Sequence, residues 1–178
     1  MKYLILFFLT YLSFFVNAQE IYGIEEWKFH FPYNKPTLLT SADNRIYVGT
    51  ANSIFFFDKD DNSLQKLTKQ DGLSDIEISA IEYNVKYKTL LIAYNSGVID
   101  LIINEKTFLR IDDIVRANIV GSKKINHIFF NDNIAYLSTD FGLLQLDIIN
   151  YEIKDSYRNI GENGKQLIVF ESTINPVS

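Results

Sequence analysis

The chain has 178 residues, is 47% hydrophobic and 15% aromatic, and contains no cysteine, so disulfides are excluded and a packed core must hold it together. Its formal charge is −5, from 17 basic against 22 acidic side chains. With no lysine–arginine cluster to offset that balance, a nucleic-acid backbone is excluded as a natural partner.

The first 18 residues read as a secretory leader. Lys2 supplies the positive start, residues 3–16 the apolar stretch, and Val16-Asn17-Ala18 the small residues suited to cleavage before Gln19. The apolar run is short for a membrane span, and no cysteine follows Ala18 to carry a lipid. Cleavage removes one basic residue, Lys2, leaving 16 against 22 acidic ones and a mature charge of −6. Residues 19–178 hold no low-complexity stretch or long charge run and only three prolines, and are expected to form one domain or part of one.

Along the mature chain, Trp27-Lys28-Phe29-His30-Phe31 is expected to be an outermost strand, a latch between the termini. A hairpin follows over residues 45–58, with a more polar strand at 64–68. A strand at 78–83, a polar link at 84–88, a hairpin at 90–100 and a polar strand at 107–111 come next. The order then returns as a strand at 125–130, a link at 131–133, a hairpin at 134–147 and a polar strand at 153–157. The strands mix β-branched and aromatic residues between Asn, Asp, Gly and Lys, and none sustains a helical period. The hairpin turns carry Ser53, Gly97 and Gly142, about 45 residues apart. At such positions a short residue allows a tight loop, and glycine accepts positive φ.

A β-rich repeat of about 40–50 residues with four antiparallel strands per unit is the signature of a β-propeller. The expected fold is all-β, with about three and a half blades of an incomplete ring. Strands such as Ile54-Phe55-Phe56-Phe57 and Leu143-Leu144-Gln145-Leu146 are apolar on both faces, as expected where neighbouring blades cover both sides. Burying one such Phe or Leu contributes roughly 1.5–3 kcal/mol, which requires an adjacent blade. Residues 161–171 resemble residues 72–83, so a fourth unit is expected to begin with its first strand. A propeller cut at that point exposes an inner blade face, and the mature chain alone is expected to be poorly soluble or oligomeric.

Several constellations invite chemistry. Asp58-Lys59-Asp60-Asp61-Asn62 begins like a calcium loop, but Ser63 replaces the sharp-turn glycine and Lys69 the bidentate glutamate. It is read as a solvated hairpin turn, and Asp112-Asp113 as solubility at a blade edge. His30 and His127 lie far apart with no metal-ligand spacing around them. Gly121-Ser122-Lys123-Lys124 lacks both the nucleophile elbow and the phosphate-loop spacing, and is read as a loop entering the strand at Ile125. The aromatics Phe55 to Phe57, Phe129, Phe130, Tyr47, Tyr94 and Tyr136 fall at equivalent repeat positions, the mark of blade packing. No catalytic, metal or cofactor residues are therefore assigned, and no binding surface is singled out.

The run Ile46-Tyr47-Val48-Gly49-Thr50-x-x-Ser53-Ile54, with Asp71-Gly72-Leu73-Ser74-Asp75 after the fourth strand, resembles the blade pattern of bacterial two-component-regulator propellers. Ser53 stands where those repeats usually carry glycine. Trp27-Lys28-Phe29-His30-Phe31-Pro32-Tyr33-Asn34-Lys35, the run from Ile92 to Ile102, and Gly121-Ser122-Lys123-Lys124-Ile125-Asn126 resemble the N-terminal propeller of PorZ-type proteins of the type IX secretion system of Bacteroidetes. The resemblance runs from about residue 26 to residue 169.

The resemblance implies an exported, non-enzymatic protein at the cell surface or outer membrane, with the periplasm as the alternative place. It also implies partners among the attachment-complex proteins or surface lipopolysaccharide, working beside a sortase that processes and attaches cargo. PorZ-type proteins normally carry a second propeller and a C-terminal domain, which this sequence lacks. Two other classes stay open: an extracellular sensor propeller of a hybrid two-component regulator that binds a glycan, and a propeller lyase or glycosidase. The enzyme would need clustered carboxylates or histidines on the axial loops, which the repeats do not show.

Overall fold

The computed structural model describes residues 35–175. The leader, the expected latch at residues 27–31 and His30 lie outside the described residues. Residues 35–175 form three antiparallel sheets of four strands each. The first comprises β1 (Leu38–Ser41), β2 (Arg45–Gly49), β3 (Ile54–Asp58) and β4 (Leu64–Leu67). The second holds β5 (Ile78–Asn84), β6 (Thr89–Tyr94), β7 (Ile99–Ile103) and β8 (Thr107–Ile111). The third holds β9 (Ile125–Asn131), β10 (Ile134–Thr139), β11 (Gly142–Asp147) and β12 (Glu152–Tyr157). Each sheet is a meander in which every strand pairs with its neighbour in sequence. They are propeller blades, and no closed ring is present among the described residues.

Two elements were not visible as such in the sequence. The first blade opens on β1, whose Leu-Leu-Thr-Ser is too short and too mixed to show alternation. A single helical turn, α1 (Asp113–Arg116), stands in the link between the second and third blades.

Blade follows blade through their first strands, with β5 lying against β1 on one side and β9 on the other. The Thr40 hydroxyl donates to Glu82 Oε1 at 2.8 Å and accepts from the Tyr83 N–H at 3.2 Å, pinning β1 to β5. One apolar core, with Tyr47, Ile54, Phe56, Ile92 and Tyr94, fills the space between blades 1 and 2. Another, with Leu91, Leu101, Leu137, Leu144 and Leu146, fills that between blades 2 and 3.

This placement divides the expectation of two-sided burial. All six residues of β6 are buried, because blade 2 has a neighbour on each face. In β3 only Ile54, Phe56 and Asp58 are buried, while Phe55 and Phe57 remain partly exposed. In β11 Leu144 and Leu146 are buried, but Leu143 and Gln145 are not. The outer blades have a described neighbour on one face only, so alternate residues gain full burial.

The hairpin turns correct the sequence alignment. The Thr50 N–H bonds to Ser53 O at 2.9 Å and the Tyr94 N–H to Val98 O at 3.0 Å, while Thr139 pairs with Gly142. Ser53 is therefore equivalent to Gly142 and to Val98, and Gly97 lies inside a turn that is one residue wider. Gly97 and Gly142 have φ of 85° and 130°. Ser53 has no positive φ; its hydroxyl instead lies 3.0 Å from that of Thr50, closing the turn by side-chain bonding. The aromatics are not all equivalent either: Tyr47 and Tyr136 each lie three residues before the residue that opens the turn, whereas Tyr94 opens the turn of its own blade.

Residues 161–171 do not form a sheet strand. A turn at Glu162–Gly164 leads into extended chain seated on blade 3, where the Val169 N–H donates to Thr139 O at 2.9 Å. The half blade expected beyond the third is thus an extended segment with no ladder among the described residues.

Candidate functional site

Polar side chains gather at both ends of the junction between blades 1 and 2. At the end that carries the inter-blade links, Thr68 caps a short turn (Lys69–Asp71) reciprocally with Asp71. Gly72, with φ of 118°, then reverses the chain and buries Leu73. The reversal aims the Ser74 N–H at Asp100 Oδ2, 2.8 Å away, and the same oxygen accepts from the Tyr94 hydroxyl at 2.7 Å. The Ser96 hydroxyl bonds to Asp75 Oδ2 at 2.7 Å. Burial resists the charge of Asp75, but the bonds from Ser96 and Ile76 and the charges of Lys69 and Arg110 outweigh it and lower its pKa. The Asp-Gly-Leu-Ser-Asp motif is therefore a device that ties blade 1 to blade 2.

At the opposite end, Arg45 Nε bonds to Asp58 Oδ2 at 2.9 Å and Arg45 Nη1 to Glu105 Oε2 at 2.8 Å. Its guanidinium lies 4.5 Å from the centre of the Phe56 ring. Burial works against the Arg45 charge, while Asp58, Tyr47 and Glu105 more than offset it, so its pKa is raised. Glu105 crosses from blade 2 to make this bond from a turn in which Asn104 and Glu105 have φ of 48° and 62°. Glycine normally fills the second of those positions. Beside the pair opens a cleft of about 410 Å³ lined by Asp43, Asn44, Asp60, Tyr83, Lys88 and Glu105, among others. Its mixed donors and acceptors suit a polar ligand or a polar partner surface, and it holds no paired nucleophile and base.

The residues singled out in the sequence are placed as follows. Asp58 Oδ1 accepts from the Asp60 N–H at 3.0 Å, and Asp61 Oδ1 from the Ser63 N–H at 2.9 Å. Asp147, at the same repeat position as Asp58, accepts from the Ile149 N–H at 2.8 Å. The calcium-like run is thus a repeated turn in which a carboxylate binds its own backbone two residues on. Asp112 and Asp113 pair with Arg116 at 2.8 and 2.7 Å around α1. Lys123 donates to Val115 O at 2.6 Å and Ala117 O at 3.1 Å, completing the carbonyl end of that helical turn. His127 lies on β9 with its Nδ1 buried and making no hydrogen bond among the described residues. Among the described residues no three His, Asp or Glu side chains converge as a metal ion would require.

Two phenols give this junction a pH response. Tyr83 is pushed up to about 12 by burial first, then by Tyr47 and the carboxylates of Glu105 and Asp43. Tyr94 is raised further, by burial and by Asp100. In the unfolded chain both ionise near pH 10. Their stabilisation is therefore full below about pH 10 and is lost as pH rises from there through the folded values. Tyrosinate absorbance and the far-ultraviolet sheet signal should change together above about pH 10; complete tyrosine ionisation with the sheet signal intact would refute this.

The family model for the N-terminal β-propeller domain of PorZ, of the type IX secretion system, matches residues 46–175. The chain belongs to this family. Among solved structures, PorZ of Porphyromonas gingivalis, described as an essential bacterial surface component of that system, superposes with a TM-score of 0.65 at 24% identity. The match covers 69% of this chain and 17% of PorZ. The extracellular domain of BT4673, a hybrid two-component system of B. thetaiotaomicron, superposes with a TM-score of 0.60 at 16% identity, over 75% of this chain and 18% of that one. AztD of Citrobacter koseri gives 0.53 at 14% identity, over 73% and 36% of the two chains. No curated protein matches the sequence. The PorZ-type chain thus spans about a sixth of the solved PorZ that it resembles. Among its described residues no helix is long and apolar enough to cross a membrane.

In the sequence Asp58 reads as part of a turn, Asp71 to Asp75 as a blade pattern and Tyr94 as packing, whereas Asp100, Glu105 and Arg45 have no assigned role, though two of them left a signal. Asp100 is a lone carboxylate inside Val98-Ile99-Asp100-Leu101-Ile102, which calls for a buried partner. Glu105 follows Asn104 where a tight hairpin prefers Asn-Gly, which marks a side chain retained against backbone preference. Arg45, at the edge of an apolar strand, left none.

Proposed function

We propose that this protein is an exported, non-catalytic propeller module of the type IX secretion system, acting at the cell surface in the processing and attachment of cargo. The observation that carries the reading is the PorZ-domain match, which extends from β2 to the segment after β12. The use of polar groups supports the non-catalytic part: Asp100, Arg45, Asp58, Asp147 and Lys123 are each engaged in holding turns or blades together. Export rests on the leader of residues 1–18.

The test is deletion of the gene in its host, followed by measurement of cargo on the cell surface and of its C-terminal signal by mass spectrometry. Cargo should lose surface attachment and retain the signal, and the intact gene should restore both. Normal attachment in the deletion strain would overturn the proposal. The likeness to the BT4673 extracellular domain favours a second reading, a sensor propeller for a glycan; deletion would then change transcription of a glycan-use operon and leave cargo untouched.

A further inference from the structure

The two junctions between blades are closed differently. Asp100 stands two residues after Val98, and Leu144 two residues after the equivalent Gly142, so they hold the same place on the third strands of blades 2 and 3. Asp100 accepts the Ser74 N–H of the link from blade 1, which draws that link onto blade 2. Leu144 offers no acceptor, and the link that carries α1 leaves a cavity of about 290 Å³ between itself and blade 3. The opening thus lies where the first junction is tied shut. Its walls are Ile114 and Ile119 of the link with Phe141, Leu144 and Ile153 of blade 3. Ile114, Phe141 and Leu144 are buried members of the core between blades 2 and 3, so these walls are fixed before any ligand enters.

The charged groups of the cavity stand on its solvent side, and they have two signs. Arg158 Nε donates to Ser156 Oγ at 2.9 Å, which holds the guanidinium beside the opening. Its two Nη atoms have no hydrogen-bond partner among the described residues. Asp113 Oδ1 is bonded to Arg116 Nη2 at 2.7 Å, and Asp113 Oδ2 has no partner among the described residues. An apolar acid entering the cavity would meet the Asp113 charge, and an apolar amine that of Arg158. A molecule that carries both groups on an apolar body satisfies the whole lining. We propose that the cavity between the link and blade 3 binds a free apolar α-amino acid. Its side chain lies against Phe141, Leu144 and Ile153, its carboxylate on the Nη atoms of Arg158 and its ammonium on Asp113. The volume falls at the lower end of the roughly 300–1,000 Å³ of ligand sites, which suits leucine or phenylalanine better than a longer peptide.

The experiment is equilibrium dialysis of the whole 178-residue chain, or its secreted form, against labelled L-leucine and L-phenylalanine. At least one of the two should bind saturably below about 10 mM. Competition by 4-methylpentanoate and 3-phenylpropanoate, which lack the ammonium, and by 3-methylbutylamine and 2-phenylethylamine, which lack the carboxylate, should be at least about tenfold weaker. Arg158→Gln and Asp113→Asn should each weaken binding about tenfold. Neither side chain belongs to a core, so both variants should keep the parent's melting temperature, which shows that the blades are intact. With phenylalanine bound, ring currents should move the methyl signals of Ile114, Leu144 and Ile153, which places the ligand in the cavity. Absence of saturable binding by both amino acids overturns the proposal. So does equal binding of the acids or the amines, or undiminished binding by either variant.

Discussion

Gly142→Val is expected to lower the unfolding free energy by about 4 kcal/mol, a large share of the 5–15 kcal/mol typical of a domain. Two independent effects add. Gly142 has φ of 130°, a region that a β-branched residue enters only under strain. A Cβ built there would also collide with the carbonyl oxygen of Tyr157, where the end of β12 crosses the turn. That neighbour is backbone and cannot rotate away, so relief would require β11 and β12 to part. Gly97→Val is the informative companion. Its φ is 85°, and its Cβ would meet the buried Ile114 Cγ2 at 2.8 Å and the Lys123 carbonyl oxygen at 3.2 Å, a milder collision than the one with Tyr157. Urea unfolding followed by circular dichroism should rank the losses with Gly142 first. Equal losses at the two sites, or a loss below about 1 kcal/mol at Gly142, would contradict the backbone collision.

Asp100→Ala is expected to cost about 3–4 kcal/mol, although the side chain is small and lies outside the apolar clusters. Asp100 is 2% exposed and accepts from the Ser74 N–H and the Tyr94 hydroxyl. Truncation leaves the buried Tyr94 hydroxyl and the half-buried Ser74 N–H with no acceptor, and a buried group so orphaned costs about 1–3 kcal/mol. Tyr94→Phe removes one donor along with its need and should cost about 1 kcal/mol. In the double variant the second substitution should cost less than it does alone, a coupling that a double-mutant cycle reads directly. Strict additivity would show that the two side chains do not share the bond.

The repeat made the blades legible because its signal is local. Four strands in a meander, closed by turns rich in Gly, Asn and Asp, follow from alternation and turn chemistry within about 45 residues. What escaped was decided by turn register and by partners distant in sequence. Gly97 and Gly142 align by eye, yet the extra residue in Asn95-Ser96-Gly97 shifts their registers apart, and only the pairing of Tyr94 with Val98 reveals it. The run at Asp58 has calcium-like letters, but its carboxylate is claimed by Arg45 and by its own turn. Arg45 and Glu105 meet across sixty positions of sequence, a distance over which one chain carries no pairing signal. The strand composition of residues 167–170 was plain, but composition does not provide a second strand to pair with.

The meander of each sheet also sets how the chain acquires its structure. No strand is lent from one blade to another among the described residues, so every ladder closes within a single unit. Loop closure then spans short stretches, which favours rapid formation. A unit can form once its own four strands are available, and stability accumulates by nearest-neighbour docking, as in a linear array. Blade 2, docked on both faces, should be the last to open, and amide exchange should fade outward from β6 in both directions.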